Sequence, residues 1–231
     1  LEYSEILMAK SGGSIDKEVY AFKKGDNDIC MRYDLTVPLA RYVAMNVGSM
    51  SFPFKRYQIG KVFRGEKAQK GRFREFVQCD ADIVGLDELP IVADAECLSI
   101  VDKVFKALGL KILNHISNRN ILFGYCEALG EMCVSSENSQ KLIEITLKCG
   151  KFDDILSEIE NLSDNPTFQK GVGELKEVSS YLKALGVDEN CYVLDLGIIR
   201  GQNYYTGTVF EAMMPEHPEF LTVCGGGRYD K

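Results

Sequence analysis

Hydrophobic and polar residues alternate with period two most clearly between Lys61 and Gly85. This stretch predicts a strand, a charged loop punctuated by glycines, and a second strand. Because successive side chains of a strand point to opposite faces, the second strand has two different faces. One face carries Phe76, Gln78, Asp80 and Asp82, and the other carries Val77, Cys79, Ala81 and Ile83. The pattern predicts the floor of a polar pocket, and the alternative is a solvated face on an edge hairpin.

Two helices are predicted in the first half of the chain. The run Cys30–Ala44 predicts a strand followed by a helix that begins near Thr36, with Pro38 in the first turn, where its missing N–H is not needed. Residues 89–108 have helical apolar spacing, with acidic residues in the first half and lysines in the second, as the helix dipole favours. Residues 110–116 return to alternation and predict a strand.

The composition changes between residues 120 and 187, which are rich in Glu, Lys, Leu and Ser and show helical patterns without strand runs. We interpret residues 120–187 as a helical insertion between two parts of one sheet domain, residues 1–119 and residues 188–231. The hairpin, at about residues 55–85, lies in the first of these parts.

Strand patterns return at residues 191–199 and again at residues 208–212, after a predicted turn at Thr206 and Gly207. The glycines Gly225–Gly227 predict another turn close to the end of the chain. Strands that follow one another through short turns favour antiparallel pairing, so the predicted fold class is α+β.

Charge is distributed unevenly along the chain. The 231 residues have a formal net charge of −7, yet the segment from Lys61 to Arg74 holds six basic residues and one acid, Glu66. A cationic hairpin in an acidic protein predicts a built site for a polyanion, and a plain RNA-binding module fits poorly. No apolar run approaches the roughly 18–20 residues that span a bilayer, so no membrane association is predicted.

Cysteine and histidine usage narrows the candidate chemistry. None of the eight cysteines forms a CxxC pair, and several, such as Cys97 and Cys149, stand singly in apolar sequence. This usage predicts reduced thiols in a cytoplasmic protein. Of the two histidines, His115 fits a structural role in a strand and His217 lies in a proline loop. Neither is a good ligand candidate, and no metal site built from protein side chains is predicted.

Four motifs together resemble one enzyme family. They are Arg32-Tyr-Asp-Leu-Thr-Val-Pro-Leu-Ala-Arg41, Phe63-Arg-Gly-Glu with Gly71-Arg-Phe-Arg-Glu-Phe76, Arg200-Gly-Gln-Asn-Tyr-Tyr-Thr-Gly207 and Gly225-Gly-Gly-Arg-Tyr-Asp230. In this order they resemble histidyl-tRNA synthetase, and the hairpin is similar to motif 2 of class II aminoacyl-tRNA synthetases. Gln202 and Asn203 depart from the Leu-Asp that the family commonly shows. The resemblance implies a class II antiparallel sheet flanked by helices, with a helical insertion.

The resemblance implies ATP-dependent activation of histidine to histidyl-adenylate, followed by transfer to tRNA-His. ATP is expected as its Mg²⁺ complex, and the full-length protein is expected to be a homodimer. Motif 1 is expected before Leu1, and motif 3 and the anticodon-binding domain after Lys231. The chain as it stands is therefore expected to be inactive or very weak in aminoacylation.

The family's motifs also imply a role for each site residue. The catalytic pair is Arg64, at the α-phosphate and the histidine carboxylate, with Arg200 as the second cation. The predicted ATP contacts are Arg64, Glu66, Arg72 and Phe76. The predicted histidine contacts are Asp34, Thr36 and Gln78 at the α-ammonium, and Asp82, Tyr204 and Tyr205 at the ring. The alternatives are core packing for Phe76 and aromatic packing at a turn for the two tyrosines; Asp80 shares the polar face without an assigned role.

A second function is compatible with the same fold. This alternative is the synthetase-like regulatory subunit of ATP phosphoribosyltransferase, which binds a catalytic subunit and forms no adenylate. Such a paralogue can lose catalytic side chains, whereas Arg64, Gln78, Asp82, Arg200 and both tyrosines are present in this chain. Their presence favours the enzyme.

Overall fold

A computed structural model describes residues 1–8, 17–130, 136–198 and 205–230, which divide after Leu89 into two units. The first unit holds β1 Glu2–Tyr3, α1 Ser4–Met8, β2 Ala21–Lys24, β3 Asn27–Cys30, α2 Thr36–Asn46, β4 Phe54–Phe63 and β5 Glu75–Val84. Its strands form a three-stranded antiparallel sheet in the order β1-β3-β2 and the two-stranded hairpin β4-β5.

The second unit contains a five-stranded sheet and five helices among its described residues. Its elements are α3 Val92–Ala107, β6 Leu113–Asn118, α4 Arg119–Ala128, α5 Ser136–Thr146, β7 Cys149–Gly150, α6 Phe152–Ile159, α7 Pro166–Ala184, β8 Tyr192–Asp195, β9 Thr208–Met213 and β10 Thr222–Gly227. The strand order is β10-β9-β6-β8-β7. The chain is therefore α+β, as the sequence predicts.

The hairpin β4-β5 pairs ten residues on each strand, from Phe54 opposite Val84 to Phe63 opposite Glu75. Exposure alternates along both strands, as the period-two pattern predicts. The polar face is the less exposed one, whereas Tyr57 on the opposite face is 80% exposed. This burial supports a polar pocket and contradicts the alternative of a solvated polar face.

Helix α2 begins at Thr36 with Pro38 in its first turn, as predicted. The carboxylate of Asp34 fixes this start, because its Oδ1 accepts the backbone N–H groups of Thr36 at 3.1 Å and Val37 at 2.9 Å. A side-chain oxygen at this position satisfies donors that the first turn of a helix leaves unpaired.

The core of the second unit lies where one face of the sheet meets the helices. Its fully buried members include Ile116, Ile121, Phe168, Leu175, Leu182, Leu194 and Leu196. Helix α7 packs against both α3 and α4. The four helices α4–α7 lie within residues 120–187, except that α4 begins one residue earlier, at Arg119. The same segment also contains the two-residue strand β7, which the sequence pattern did not predict. Treating residues 120–187 as an insertion stays a prediction.

Two details of the sheet differ from the sequence-based expectation. Strands β6 and β8 pair in parallel, because a long helical connection separates them and can return the chain to the same end of the sheet. The predicted glycine turn is wrong, since Gly225–Gly227 lie in β10, paired with β9. A Cβ on Gly226 would lie 2.8 Å from the Phe210 ring, so close approach between neighbouring strands explains the missing side chain.

All seven cysteines in the described part of the chain are free thiols, as predicted. The expected apolar surroundings of Cys149 are wrong, because this thiol is exposed and hydrogen-bonds to Asp195. No described helix has both the length and the apolar character that crossing a membrane would require.

We expect Gly124→Ala to destabilise the second unit by about 1–3 kcal/mol. A Cβ there would lie 2.1 Å from the backbone nitrogen of Phe168, so α4 and α7 would have to separate. The matched control is Gly173→Ala on the exposed side of α7, where a Cβ meets nothing within 4 Å. Helix propensity predicts a gain of about 0.5–1 kcal/mol for the control. Urea unfolding of both variants tests the expectation, and equal effects would contradict it.

Candidate active site

Arg64 directly follows strand β4 and is held in place from three sides. Its backbone N–H donates to the Arg74 carbonyl at 2.9 Å, which extends the strand pairing by one step. Its Nε donates to the Tyr33 carbonyl at 3.1 Å. The guanidinium carbon lies 4.7 Å from the centroid of the Tyr33 ring and 5.3 Å from that of Phe76. Two aromatic faces and one hydrogen bond therefore fix the cation before any ligand binds.

Arg56 and Asp82 form an ion pair across the hairpin. The two residues are direct partners in the strand register, and Arg56 Nη2 lies 2.9 Å from Asp82 Oδ2. Their side chains are only 10% and 11% exposed. Arg56 also donates to the Leu35 carbonyl at 3.1 Å and to the side chain of Gln58. Arg56 thus neutralises the charge of the Asp82 carboxylate on the polar face. Its hydrogen bond to the Leu35 carbonyl connects the hairpin to the start of α2.

Two further carboxylates lie near this pair. Burial raises the pKa of Asp34, and the Val37 N–H and the positive charge of Arg64 oppose the shift. Burial also raises the pKa of Asp80 to about 6, with the negative charge of Asp82 adding to the effect. A site with three carboxylates and two guanidinium groups favours ligands that carry both signs of charge.

Gln78 presents an unsatisfied acceptor. Its Oε1 is buried and has no hydrogen-bond partner among the described residues. Its cross-strand neighbour is Gly60, which places no side chain beside it. An unpaired buried acceptor costs about 1–3 kcal/mol, so natural proteins usually keep one for a ligand or a water. The atom therefore marks a position for a hydrogen-bond donor, such as an ammonium group.

The loop between the strands is folded on itself. Gln69 and Arg72 exchange backbone hydrogen bonds of 3.3 and 2.9 Å around Gly71, whose φ of 75° is the left-handed value that a tight turn needs. At the base of the loop, the Gly65 N–H donates to the Glu18 carbonyl at 2.6 Å. The Glu66 carbonyl accepts from Arg74 Nε at 3.3 Å. Backbone contacts thus position the cationic loop at the end of the hairpin.

The first unit contains eight of the predicted site residues: Asp34, Thr36, Arg64, Glu66, Arg72, Phe76, Gln78 and Asp82. Phe76 is half-buried with Arg64 over its ring, so it is not a core residue. Tyr205 is buried in the second unit, while Arg200 and Tyr204 lie outside the described residues. The substrate contacts assigned to all these residues stay predictions.

Sequence reasoning missed Arg56, the partner of Asp82. The signal was present, because an antiparallel register counted outward from the loop places Arg56 opposite Asp82. The sequence pattern also assigned no role to Tyr33. The Tyr33 ring lies against the guanidinium of Arg64, and its hydroxyl donates to the Glu18 carboxylate at 2.8 Å. Burial raises the pKa of Tyr33 to about 12, so this hydroxyl keeps its proton.

Comparison with known proteins gives a consistent result. The model of a family described as histidyl-tRNA synthetase matches residues 1–145 and 125–231. The chain is 41% identical over 259 residues to the histidine–tRNA ligase of Clostridium tetani, covering all of this chain and 59% of that protein. It is 36% identical over 285 residues to the corresponding ligase of Xanthomonas axonopodis pv. citri, covering 99% of this chain and 60% of that protein.

Solved structures show the same likeness. A crystal structure of histidyl-tRNA synthetase from Nostoc sp. PCC 7120 superposes with a TM-score of 0.86 at 31% identity, covering 100% of this chain and 59% of that one. A Bacillus halodurans protein described as an ATP phosphoribosyltransferase regulatory subunit/histidyl-tRNA synthetase has a TM-score of 0.83 at 22% identity and shares the fold. The chain spans about 60% of the length of the curated relatives it matches.

Asp80→Asn is expected to raise the free energy of unfolding at pH 7. The folded-state pKa of about 6 lies above the ordinary value of 3.8, so the unfolded chain ionises first. The stability linked to Asp80 is therefore present below about pH 4 and is lost as the pH rises to about 6. We expect a gain of about 1 kcal/mol at pH 7, discounted because solvent screens this partly exposed side chain.

Chemical denaturation between pH 4 and pH 8 measures this effect. The matched control is Asp28→Asn, because Asp28 is an exposed aspartate of the same unit. The control is expected to change the free energy of unfolding by less than about 0.5 kcal/mol, because substitutions of exposed residues have small effects. A pH profile of Asp80→Asn that parallels the parent would contradict the assigned cause.

Proposed function

This chain belongs to the histidyl-tRNA synthetase family, and we propose that it is the catalytic core of a histidine–tRNA ligase. The observation that carries the proposal is the arrangement on the hairpin. A fixed guanidinium, that of Arg64, stands at one end of a half-buried face that also holds the unsatisfied acceptor of Gln78 and the compensated carboxylate of Asp82. Such a face is suited to a zwitterionic substrate that reacts with a polyphosphate.

The proposed first step joins histidine to the α-phosphate of ATP and releases pyrophosphate. A carboxylate oxygen attacks phosphorus, so two negative groups must approach each other, and positioned cations lower the cost as charge develops. Arg64 is the proposed first cation, because its planar fork can contact the carboxylate and the phosphate together. Its fixed position means that little reorganisation is needed when the substrates bind. The family's motif supplies Arg200 as the proposed second cation.

Histidine recognition is proposed to divide between the two ends of the amino acid. Gln78 Oε1 would accept from the α-ammonium, with Thr36 and the second carboxylate oxygen of Asp34 beside it. Asp34 Oδ1 is already engaged by the start of α2, so only Oδ2 is available for this role. Asp82 would accept from the imidazole ring, and the family's motif adds Tyr204 and Tyr205.

Selectivity follows from the cost of leaving these groups unpaired. A neutral imidazole offers one donor and one acceptor, so a site that pairs both nitrogens rejects amino acids that offer neither. Buried polar groups left without partners can give discrimination of about 10⁴ or more without an editing step. The buried Oε1 of Gln78, which has no hydrogen-bond partner among the described residues, supports this proposal.

ATP is proposed to bind as its Mg²⁺ complex along the cationic loop. Glu66 and Arg72 would contact the nucleotide, with Arg72 toward the outer phosphates. Phe76 would stack on adenine through the ring face that Arg64 does not cover. The turn that carries Arg72 is closed by backbone hydrogen bonds, which supports a positioned contact and not a free surface charge.

The second proposed step transfers the histidyl group to the 3′ end of tRNA-His. We propose that the full-length gene product is a cytoplasmic homodimer, in keeping with its family and with the free thiols of the described residues. Residues 120–187 are proposed to be a helical insertion between residues 1–119 and 188–231 of the catalytic core. Motif 3 is proposed to lie in a part of the protein outside these 231 residues.

Arg64→Ala and Arg200→Ala in the full-length gene product are each expected to slow histidine-dependent exchange of pyrophosphate into ATP by about a hundred- to a thousand-fold. The reason is the loss of one preorganised charge donor at the reacting phosphate. Lys67→Ala is the matched control, since Lys67 is an exposed lysine of the same loop. The control is expected to retain exchange within about two-fold, because exposed charges contribute little.

The exchange assay also separates the two candidate functions. A regulatory subunit that forms no adenylate would show no histidine-dependent exchange in the parent protein. Exchange that is present but unchanged by both arginine substitutions would leave the ligase assignment standing and refute the roles given to these residues.

A further inference from the structure

Three potential metal ligands meet on one face of the sheet in the second unit. His115 lies on β6, Cys149 on β7 and Asp195 on β8, which are neighbouring strands in the order β6-β8-β7. Their ligand atoms all lie within 4.8 Å of one another. The proposed ligase reaction uses none of these residues, and the cluster differs from the expectation from sequence that His115 is not a ligand candidate.

The strand register brings the three side chains together. Cys149 is the direct antiparallel partner of Asp195, and His115 is the parallel partner of Val193. Because Asp195 follows Val193 by two residues, its side chain lies on the same face as His115. The face is therefore set by backbone pairing on three strands and not by a mobile loop.

Hydrogen bonds fix the central carboxylate. Asp195 Oδ1 accepts the backbone N–H of Gly197 at 2.9 Å. Its Oδ2 lies 2.8 Å from His115 Nδ1, and its carboxylate also interacts with the Cys149 thiol. His115 and Asp195 are each 17% exposed at the side chain, while Cys149 is exposed. His115 and Asp195 are thus held in position, while Cys149 faces solvent. An ion can reach the site from the side of Cys149.

We propose that His115 Nδ1, Cys149 Sγ and an oxygen of Asp195 bind a thiophilic divalent cation of the zinc class. A thiolate, an imidazole and a carboxylate are the ligands that zinc takes in proteins. With bonds of about 2.0–2.3 Å, ligand atoms of a tetrahedral site lie about 3.3–3.8 Å apart. The observed separations, from 2.8 Å to at most 4.8 Å, need only small side-chain rotations to reach this range.

Binding of an ion changes where the protons of these ligands lie. The hydrogen bond between His115 and Asp195 requires one proton, and the thiol carries another. When the ion binds, the thiol releases its proton to solvent, and the single ring proton of a neutral imidazole lies on Nε2 so that Nδ1 can bond the metal. Three protein ligands leave the fourth position to water.

The charges around the site favour a cation. Glu211 is the direct cross-strand partner of His115 and adds a carboxylate to the same face. Lys148, which precedes Cys149 in the chain, is ion-paired with Glu158 at 2.7 Å. Its positive charge is therefore largely compensated, and it opposes binding little.

Cobalt(II) is the probe that tests the proposal, because it substitutes for zinc and reports a thiolate ligand by an intense charge-transfer band. The full chain, reduced and free of chelators, is titrated with CoCl₂ at pH 7.5. We expect one ion per chain and a cobalt–thiolate band that an equivalent of Zn²⁺ removes. Cys149→Ser is expected to abolish the band, and His115→Ala to weaken binding at least ten-fold.

Cys79→Ser is the matched control, because Cys79 is also an exposed free thiol on a strand but lies in the first unit. The control is expected to keep both the band and the stoichiometry. The Cys149→Ser change is isosteric at an exposed position, so the fold is retained; thermal unfolding with and without Zn²⁺ checks this. A titration without the band, or a band that survives in Cys149→Ser, would overturn the site.

Discussion

The ion pair between Arg56 and Asp82 is the interaction on which the candidate site depends. A carboxylate on a half-buried sheet face needs a compensating cation, since an isolated buried charge is costly. The hairpin register supplies that cation directly across the strands, with both side chains about one-tenth exposed. Arg56 also reaches the Leu35 carbonyl beside the start of α2. The same contact therefore places Asp82 and connects the hairpin to the segment that carries Asp34.

Other polar groups near this pair lower the stability of the protein. Gln78 keeps an unsatisfied acceptor, and burial raises the pKa values of Asp34 and Asp80 above their ordinary values. A sequence optimised for stability alone would avoid this combination. A bound group that donates a hydrogen bond to Gln78 Oε1 would relieve part of this cost, so the groups that destabilise the protein are also those available to bind a ligand.

The sequence predicted those features that local patterns control. Period-two alternation identified the hairpin and its polar face, and Pro38 and Thr36 located the start of α2. Features that depend on pairing between distant residues were missed or wrong. Arg56 becomes visible only when the register is known, and the glycines of β10 look like a turn until the Phe210 ring opposite them is seen. His115 and Asp195 are 80 residues apart, so their contact has no local signal.

Calorimetric titration of histidine and of MgATP into the Asp82→Asn variant tests the account most directly. If Asp82 accepts a charge-assisted hydrogen bond from the ring, as proposed, its loss weakens histidine binding at least about ten-fold, with ATP affinity changed less than about two-fold. Asp80→Asn, two residues away on the same face, is the matched comparison and should bind histidine nearly as the parent does. Equal losses for both ligands, or equal losses in the two variants, would contradict the claim that this face of the hairpin is built around Asp82 to hold an imidazole.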